Sequence, residues 1–600
     1  MFLRAHRRSK DGKEHRYWSL VETVRTPEGP RQRRLCYLGE LNDSAQGRWL
    51  KTIEVFNGQG ESTQLKLFPS DVELPAEETE VARVLLEKVR LERTRQLGPC
   101  YLGGELWRRL KLDEFFQHAL DRDGADVPWS QVAAILAINR LCAPGSELAL
   151  EQRWYPATAL GDLLHIEEGK INDTRLYRCL DRMLPQKTKL EQHLKQRYGE
   201  LFAAEFDVML YDLTSTYVEG EAGANPMMRR GYSRDHRPDC LQLVLALIVN
   251  AEGFPCSYEV FNGNRADVTT MEVVLRVVER KYGKARRIWV MDRGVVSEAN
   301  LAAIRKREGQ YLVGTPRSKM KEFESQLAEK ANWEQVRDEV QVKLIPTPEG
   351  QETFILCKTE GRQKKEQAIR NRFATRLEAA LDNLKKQVQA GRLKNRDKIH
   401  IRIGRILASH PPVADLYTVE VKEESGQLRV EWVRKSGQQQ WREAREGAYL
   451  LRTNLSAATA SELWEKYMQL TEVEASFRAL KSELSLPPLY HQREPRVKAH
   501  VMVAFLGYAL WVTLKHLLRR SSSEWSAQRA LAELSTLQSA DIILPTTDGR
   551  EIRLRRITEP TTAQQKLLNQ LGIELPTQFQ INRQCSADFA VAWAEFNLKD

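Results

Sequence analysis

The chain has 600 residues, a hydrophobic fraction of 42% and a charged fraction of 29%, a balance that argues against an intrinsically disordered chain and against a membrane protein. This length exceeds one ordinary hydrophobic core and predicts several domains. Because 92 Lys and Arg residues outnumber 81 Asp and Glu residues, the formal net charge is +11, which favours a polyanionic partner.

The first two regions of the chain differ in their hydrophobic period. Residues 1–76 alternate polar and apolar positions around the turn TPEGP and predict a basic, β-rich module. Residues 77–204 carry apolar residues at three- and four-residue spacing and predict a helical domain. DNA binding by this domain is a separate expectation, in which a pair of its helices reads DNA as a helix-turn-helix does. One candidate recognition helix, INDTRLYRCLDRM, carries Arg175, Arg178 and Arg182, although a helix with three arginines is more often simply exposed.

The middle of the chain changes to α/β character. The runs DVMLYDLTSTYVEG, CLQLVLALIVNAEG and FPCSYEVFNG are β-type, after which helix and strand alternate, with Ser297 predicted to cap one helix. Residues 205–318 therefore predict an α/β mixed sheet flanked by helices. Residues 319–446 predict a β-rich inserted domain with one long charged helix, and the segments around KIHIRIGRIL, LYTVEVKEESGQLRVEWVRK and QQWREA look β-like.

The sheet resumes after the insertion. Residues 447–520 begin with the strand GAYLLRTN and continue with two long helices. The apolar stretch from Val501 is interrupted by Lys515 and His516, which predicts a buried helix instead of a membrane span. Residues 521–600 predict two helices that flank a hairpin with a DG turn.

The eight cysteines include no CxxC pair and no zinc-type spacing with histidine, and the basic amino terminus lacks the apolar core of a signal peptide. These features predict a cytoplasmic protein without a disulfide framework.

Two acids stand where hydrophobic residues are expected. Asp212 lies within the apolar run VMLYDLTS, and Asp292 ends the apolar run IWVMDRG at the carboxyl edge of a predicted strand, where ligand sites of α/β sheets lie. A carboxylate at such a position is costly unless it is paired, hydrogen-bonded or bound to a metal ion. For either acid alone, a structural role as a helix cap or backbone acceptor explains the position equally well.

Three segments together carry a resemblance. YDLTSTYVEG, WVMDRGVVSEANL and YMQLTEVEASFRALKSELSLPPLYHQREPRVKAH resemble the signature regions of the DDE transposases of bacterial insertion sequences, over roughly residues 200–515. The resemblance implies an RNase H-like catalytic domain in which two aspartates, here Asp212 and Asp292, end adjacent strands, while Glu474 lies on a later helix. It also implies that these three acids bind two divalent metal ions, because such ions prefer oxygen ligands. The implied ion is Mg²⁺, for which Mn²⁺ can substitute.

The glutamate helix of this family carries a tyrosine, an arginine, a glutamate and a lysine, which fall here on Tyr467, Leu470, Glu474 and Lys481. Leu470 departs from the arginine, and on a 3.6-residue period Arg478 lies near the other three positions and would replace it. The residues implied to contact DNA are Tyr467, Arg478, Lys481, Arg293, His491 and Arg496.

The function implied by the resemblance is that of a transposase that binds the ends of a mobile element and excises and inserts it by hydrolysis and strand transfer. Its implied partners are the double-stranded DNA of the ends and target and a second copy in a homodimeric synaptic complex, at the nucleoid of a bacterial cytoplasm, with no membrane. Two alternatives stay open: a descendant that binds DNA without chemistry, and an RNase H-like nuclease that does not join strands. Trp432 and Trp441 of the insertion either stack on a flipped base or pack in the core.

Overall fold

The computed structural model describes residues 82–576, apart from 224, 285, 330, 425–426, 457, 548 and 550, together with the backbone of five strands before residue 82. The chain forms two compact units. The first comprises Met1–His193, Ala479–Leu486 and Arg493–Asp600, and the second comprises Leu194–Arg478 and Pro487–Gln492.

The strands in chain order are β1 (Phe2–Lys10), β2 (Lys13–Thr26), β3 (Gly29–Glu40), β4 (Thr52–Phe56), β5 (Ser62–Lys66), β6 (Ala82–Val84), β7 (Arg90–Gln96), β8 (Val208–Val218), β9 (Leu241–Val249), β10 (Pro255–Asn262), β11 (Ile288–Met291), β12 (Gln310–Gly314), β13 (Glu334–Arg337), β14 (Val340–Pro346), β15 (Thr353–Thr359), β16 (Tyr417–Glu424), β17 (Gln427–Arg434), β18 (Ala448–Thr453), β19 (Gln538–Pro545) and β20 (Glu551–Ile557).

The helices in chain order are α1 (Gly98–Arg109), α2 (Leu112–Leu120), α3 (Trp129–Cys142), α4 (Glu147–Ala149), α5 (Leu160–Leu164), α6 (Asp173–Met183), α7 (Lys187–Phe202), α8 (Met271–Tyr282), α9 (Glu298–Arg305), α10 (Glu324–Ala328), α11 (Glu360–Gln389), α12 (Arg396–Ala408), α13 (Ser436–Arg445), α14 (Ala460–Met468), α15 (Leu470–Arg478), α16 (Glu494–Arg520), α17 (Ala527–Leu534) and α18 (Thr562–Leu571).

The second unit is built on a nine-stranded mixed sheet in the order β10-β9-β8-β11-β12-β18-β15-β14-β13. Strands β8, β9 and β10 form an antiparallel meander, whereas β11 runs parallel to both β8 and β12. β8 and β9 are long apolar runs and are buried along nearly their whole length, as expected for strands covered on both faces. The predicted α/β, RNase H-like mixed sheet flanked by helices is confirmed, including the cap of α9 by Ser297.

The sheet extends further than the sequence predicts. β13, β14 and β15 fall inside residues 319–446, which the sequence assigns to an inserted domain, yet β15 pairs with β18 and so belongs to the same sheet as the candidate acids. The sequence boundary at residue 319 is therefore wrong for these three strands. β13, β14 and β15 pair with one another in sequence order, but they join the main sheet only through β18, whose residues lie about ninety positions after those of β15, and local periodicity does not reveal this pairing.

Two segments of the insertion predicted to be β-like are helical. KIHIRIGRIL lies in α12, where Ile399 and Ile403 are buried at a four-residue spacing and Asn395 caps the first turn. The isoleucines also alternate with polar residues, and this period-two pattern misled the strand prediction. QQWREA lies in α13. The hairpin β16–β17 and the long charged helix α11 are confirmed.

The first unit is largely helical, with α3 and α16 packed against each other and against α6. By length and composition α16 is apolar enough to cross a membrane, but most of its apolar window is buried inside the protein, in agreement with the buried helix predicted there. The hairpin β19–β20 and the flanking helices α17 and α18 are also confirmed.

One part of the predicted helical domain is extended. The segment EETEVARVLLEKVRLERTRQL was predicted as a helix, but it contains β6 and β7, and β7 pairs with β19 in a three-stranded sheet with β20. This prediction was wrong because the partner strand lies more than four hundred residues away in the sequence. The predicted β-rich character of the first residues holds for the three-stranded sheet β1-β2-β3.

The candidate recognition helix corresponds to α6, which is amphipathic and packs its apolar face against α3 and α16. Arg175 bonds Asp126 at 2.8 Å, and Arg182 bonds Asp123 at 2.7 Å and covers the ring of Trp129. Two of its arginines thus already have partners within the unit, and DNA recognition by this helix stays a prediction.

Candidate active site

Two of the candidate acids lie side by side in the centre of the sheet. Tyr211 of β8 is in register with Met291 of β11, so Asp212 and Asp292 occupy the next matching positions on parallel strands, which are spaced about 4.8 Å apart. Asp292 follows the last residue of β11, as the resemblance implies. Asp212 does not end its strand, because β8 continues through Val218 to pair with β9.

The third acid reaches the same place from a helix. α15 packs against β8 and β9 through buried residues that include Val473 and Phe477, and Glu474 lies on its exposed side. Burial raises the pKa of Asp212 to about 6, and the negative charges of Asp292 and Glu474 add to that rise. The three acids therefore lie within electrostatic reach of one another.

Within the described part of the chain, none of these carboxylates is held by a protein cation, although the Leu213 amide donates a hydrogen bond to Asp212. Asp292 precedes the short 3₁₀ turn Arg293–Val295, but its side chain forms no capping hydrogen bond there. Among the residues described by the structure, none of the three acids forms an ion pair within 4.0 Å. A cluster of hard oxygen donors without a directly bound protein cation suits divalent cations such as Mg²⁺.

Arg234 is a neighbour of the acids that sequence reasoning missed. It lies in the connection between β8 and β9, where its amide donates to the buried Ser215 Oγ at 2.7 Å and its guanidinium bonds Asp267 at 2.6 Å. Its positive charge lowers the pKa of Asp212, against the larger effect of burial. The basic run RRGYSRDHR between the first two strands was the available signal.

Tyr467 of α14 closes one side of the acid cluster. A Cβ atom on Gly314 would lie 2.8 Å from the Tyr467 hydroxyl, 3.1 Å from the Arg293 amide nitrogen and 3.3 Å from Asp292 Oδ1, so these groups crowd around the end of β12. Burial and the charge of Asp292 raise the pKa of Tyr467 well above its usual range. The hydroxyl therefore stays protonated at neutral pH and can donate a hydrogen bond.

The helix that carries the family signature is not continuous. The sequence predicts one long helix, but α14 ends at Met468, α15 begins at Leu470, and a π-helical turn follows at Ala479–Glu483. Leu470 is buried, so the position of the missing arginine packs in the core. Arg478 lies exposed one turn after Glu474.

Lys481 falls within the π-helical turn, where the Leu484 amide bonds the carbonyl of Ala479, five residues earlier. A projection at 3.6 residues per turn does not apply across such a turn. The predicted placement of Lys481 on the same face as Glu474, and its role in DNA contact, therefore stay predictions.

The remaining residues implied to contact DNA differ in their surroundings. Arg293 is exposed beside Asp292. His491 is half-buried, two residues after Leu489 bridges to the end of β8. Arg496 lies 3.5 Å from Asp181 and covers the ring of Tyr177, so it already has contacts within the first unit.

The two insertion tryptophans make structural contacts. Trp432 donates to Asp382 at 3.0 Å and packs edge-on against Tyr417. Trp441 packs against an apolar cluster that includes Met320 and Leu450. These contacts agree with the core-packing alternative.

An open cleft extends from Asp292 along the ends of β12 and β18. Its lining combines basic and aromatic side chains, and α14 forms one wall. The residues that line it are Asp292, Arg293, Gly314, Thr315, Arg317, Met320, Thr359, Arg362, Tyr449, Leu450, Leu451, Trp464, Tyr467 and Met468. A cleft of this composition next to a carboxylate cluster offers cations and ring faces to a nucleic acid.

Comparison with known families agrees with this geometry. The family model for the transposase DDE domain matches residues 204–510, a range that contains all three acids, and the model for the N-terminal domain of IS1634 family transposases matches residues 3–56. The chain belongs to the DDE transposase family. No curated protein matches the sequence of this transposase.

The transposase is also similar to two solved structures. One is a cryo-EM structure of the piggyBac transposase synaptic complex with hairpin DNA, at 8% identity over 73% of this chain and 79% of that chain, with a TM-score of 0.34. The other is the Mos1 transposase paired-end complex with the left transposon end, at 12% identity over 32% of this chain and 60% of that chain, with a TM-score of 0.14.

Proposed function

We propose that this transposase binds the ends of a mobile DNA element and excises and inserts the element by metal-dependent hydrolysis and strand transfer. The observation that carries the proposal is the convergence of Asp212, Asp292 and Glu474 without a protein cation bound to any of them among the described residues. Membership of the DDE transposase family supports transposition itself.

In this proposal Asp212, Asp292 and Glu474 hold two divalent cations, Mg²⁺ or Mn²⁺. Cations bound there supply the Lewis acidity that activates water or a DNA 3′-hydroxyl and stabilises the departing oxygen of a phosphodiester. The Tyr467 hydroxyl would donate a hydrogen bond to a phosphate oxygen beside Asp292, and Arg293 would add positive charge there. Partial burial of Asp212 and Tyr467 limits water around these groups and strengthens their interactions.

The proposed partners are the double-stranded DNA of the element ends and of the target, contacted through a chain of net charge +11. The two ends are brought together by a homodimer. Such an enzyme acts on DNA at the nucleoid of a bacterial cytoplasm.

The test is cleavage of DNA that carries the element's end. We expect Asp212→Asn, Asp292→Asn and Glu474→Gln each to reduce the cleavage rate by about a thousandfold or more, because each removes an oxygen ligand, while end binding is largely retained. The matched control is Glu472→Gln on the same helix, which loses the same charge and should cut at nearly the wild-type rate. Wild-type cleavage in any of the three acid variants would refute that residue's role.

The same substrate separates the two alternative functions. A pre-cut end offered together with target DNA should yield joined strands. If the wild-type protein cuts but never joins, the chain is a hydrolytic nuclease. If it binds the end with Mg²⁺ present and never cuts, it is a DNA-binding protein without this chemistry.

A further inference from the structure

A second cavity adjoins the active-site cleft within the second unit, and the two share Arg317 and Met320 in their linings. It lies among α11, α13 and the start of β18. Its charged lining consists of four arginines and two glutamates, an excess of two positive charges, and we call it the arginine cavity. Its lining residues are Arg317, Met320, Glu366, Ile369, Arg370, Pro412, Arg442, Arg445, Glu446 and Ala448.

Three of the four arginines form ion pairs with carboxylates. Arg317 bonds Glu366 at 2.5 Å. Arg370 bonds Glu443 at 2.9 Å, and one nitrogen of Arg442 reaches both carboxylate oxygens of Asp415 at 2.8 Å. These three cations are held in place by charge-assisted hydrogen bonds, which fixes the shape of the cavity wall.

Arg445 differs from the other three. It is half-buried at the end of α13, and within the part of the chain that the structure describes it has no carboxylate partner, only the ring of Trp441, whose centroid lies 5.8 Å from its guanidinium carbon. Burial lowers the pKa of Arg445, and the charges of Arg442 and Arg317 lower it further, against smaller opposing effects of the charges of Asp415 and Glu366. A cation held among like charges and partly removed from water is costly unless an anion compensates it.

We propose that the arginine cavity binds a backbone phosphate of the DNA whose reacting strand lies in the active-site cleft, with Arg445 as its main ligand. The planar guanidinium suits bidentate contact with phosphate oxygens. DNA is favoured over a free anion because the cavity and the cleft share Arg317 and Met320 in their linings, so a strand that lies in the cleft beside Asp292 can continue along this common wall toward Arg445. This inference rests on the proposed function.

The test measures binding of a duplex that carries the element's end, in EDTA so that no strand is cut. We expect Arg445→Gln to weaken binding about tenfold and to reduce the slope of log affinity against log salt by about 1. Arg445→Lys should recover the salt slope but only part of the affinity. Arg402→Gln is the matched control because it removes the same charge. Arg402 is exposed on α12 and lines neither the arginine cavity nor the cleft.

Ethylation interference locates the contact. Ethylating one particular phosphate should weaken binding by the wild-type protein and have no effect on Arg445→Gln. Equal affinity, salt slope and interference pattern for Arg445→Gln and Arg402→Gln would overturn the proposal. A second result would also overturn it. If inorganic phosphate protects the wild type but not Arg445→Gln against thermal unfolding, while the two proteins bind DNA with equal affinity, the cavity is a site for a free anion.

The two hypotheses fail separately. If the wild-type protein binds the end and cuts it when Mg²⁺ is added, but Arg445→Gln behaves like the control, only the arginine cavity is refuted. If the wild-type protein neither binds nor cuts the end, the proposed function itself is refuted.

Discussion

At the scale of single residues, Asp212 is the most unusual group in the site. Its side chain is half-buried in β8 beside two other acids, and desolvation raises its pKa to about 6, above the ordinary value of 3.8. The unfolded chain therefore loses this proton at lower pH than the folded chain does. Without a metal ion, the contribution of Asp212 to folding stability is lost as pH rises from about 4 to about 7, by up to about 3 kcal/mol.

Because the charged Asp212 side chain destabilises the folded, metal-free protein at neutral pH, we expect Asp212→Asn to stabilise it. Measured in EDTA, its thermal midpoint should exceed that of the wild type at pH 7.5, and the difference should shrink as pH falls toward 4. Asp239→Asn is the control, because the pKa shift of Asp239 has the opposite direction: Arg237 lowers the pKa of this exposed carboxyl to about 2. The thermal midpoint of that variant should not exceed that of the wild type at pH 7.5. A lower midpoint for Asp212→Asn at pH 7.5 would contradict the prediction.

Gly314 is a second residue whose identity the site requires. Because a Cβ there would meet the Tyr467 hydroxyl at 2.8 Å, Gly314→Ala should displace Tyr467 and Asp292. We expect a loss of about 1 to 3 kcal/mol in stability and at least a tenfold loss in cleavage rate, measured by chemical unfolding and on end DNA.

Two comparisons separate the steric effect from a general effect of alanine. Tyr467→Phe combined with Gly314→Ala should recover part of the stability without recovering cleavage, because the colliding oxygen is gone. Gly404→Ala, in a helix with nothing near its Cβ position, should leave cleavage unchanged. Full cleavage by Gly314→Ala alone would show that the crowding around Gly314 is irrelevant to function.

At the scale of elements, the sequence predicts what is local. The meander β8–β10 and the alternation from α8 to β12 follow from apolar runs bounded by turns, and α9 begins at its serine cap. By contrast, β7 and β15 are defined by partners far along the chain, so their own residues predict them poorly. In α12, isoleucines satisfy both a strand and a helix period, and packing decides between the two.

The same division applies to the site. The three acids are identifiable because buried runs with a misplaced carboxylate are visible in the sequence and match a family signature. The sequence does not identify Arg234, Gly314 or Arg445 as site residues. Each of them acquires its neighbours only when the sheet and the insertion helices are assembled.

The start of α14 offers a test of how an element positions the site. Thr459 forms a capping box, in which its hydroxyl accepts from the Glu462 amide at 3.3 Å and its own amide donates to Glu462 at 2.9 Å. Thr459→Ala should cost about 1 kcal/mol in stability and loosen the helix that carries Tyr467. Amide hydrogen exchange should speed up in α14 but not in α8, with a loss of cleavage smaller than tenfold. Unchanged exchange in α14 would show that the cap is dispensable.

At the scale of the whole molecule, the candidate site joins parts of the second unit that are far apart in sequence. β8 and β11 each supply an aspartate, and α15 supplies the glutamate only after the chain has added β13–β15, the insertion helices and β18. Repulsion among the acids opposes this assembly, and packing of α15 on β8 and β9 holds it together. The metal-free protein therefore keeps a preformed site at a cost in stability.

That cost predicts a stabilising effect of divalent cations. Mg²⁺ or Mn²⁺ at about one hundred times its dissociation constant should add about 2.7 kcal/mol to the stability of the second unit, because the folded site binds cations that the unfolded chain cannot gather. We expect a higher thermal midpoint for the wild type and none of this gain for Asp292→Asn. Hydrogen exchange supplies an internal control: protection should increase in β8, β11 and α15, while the hairpin β19–β20 of the first unit stays unchanged. An equal rise in midpoint for Asp292→Asn would mean that the ions bind elsewhere and that the acid cluster does not hold them.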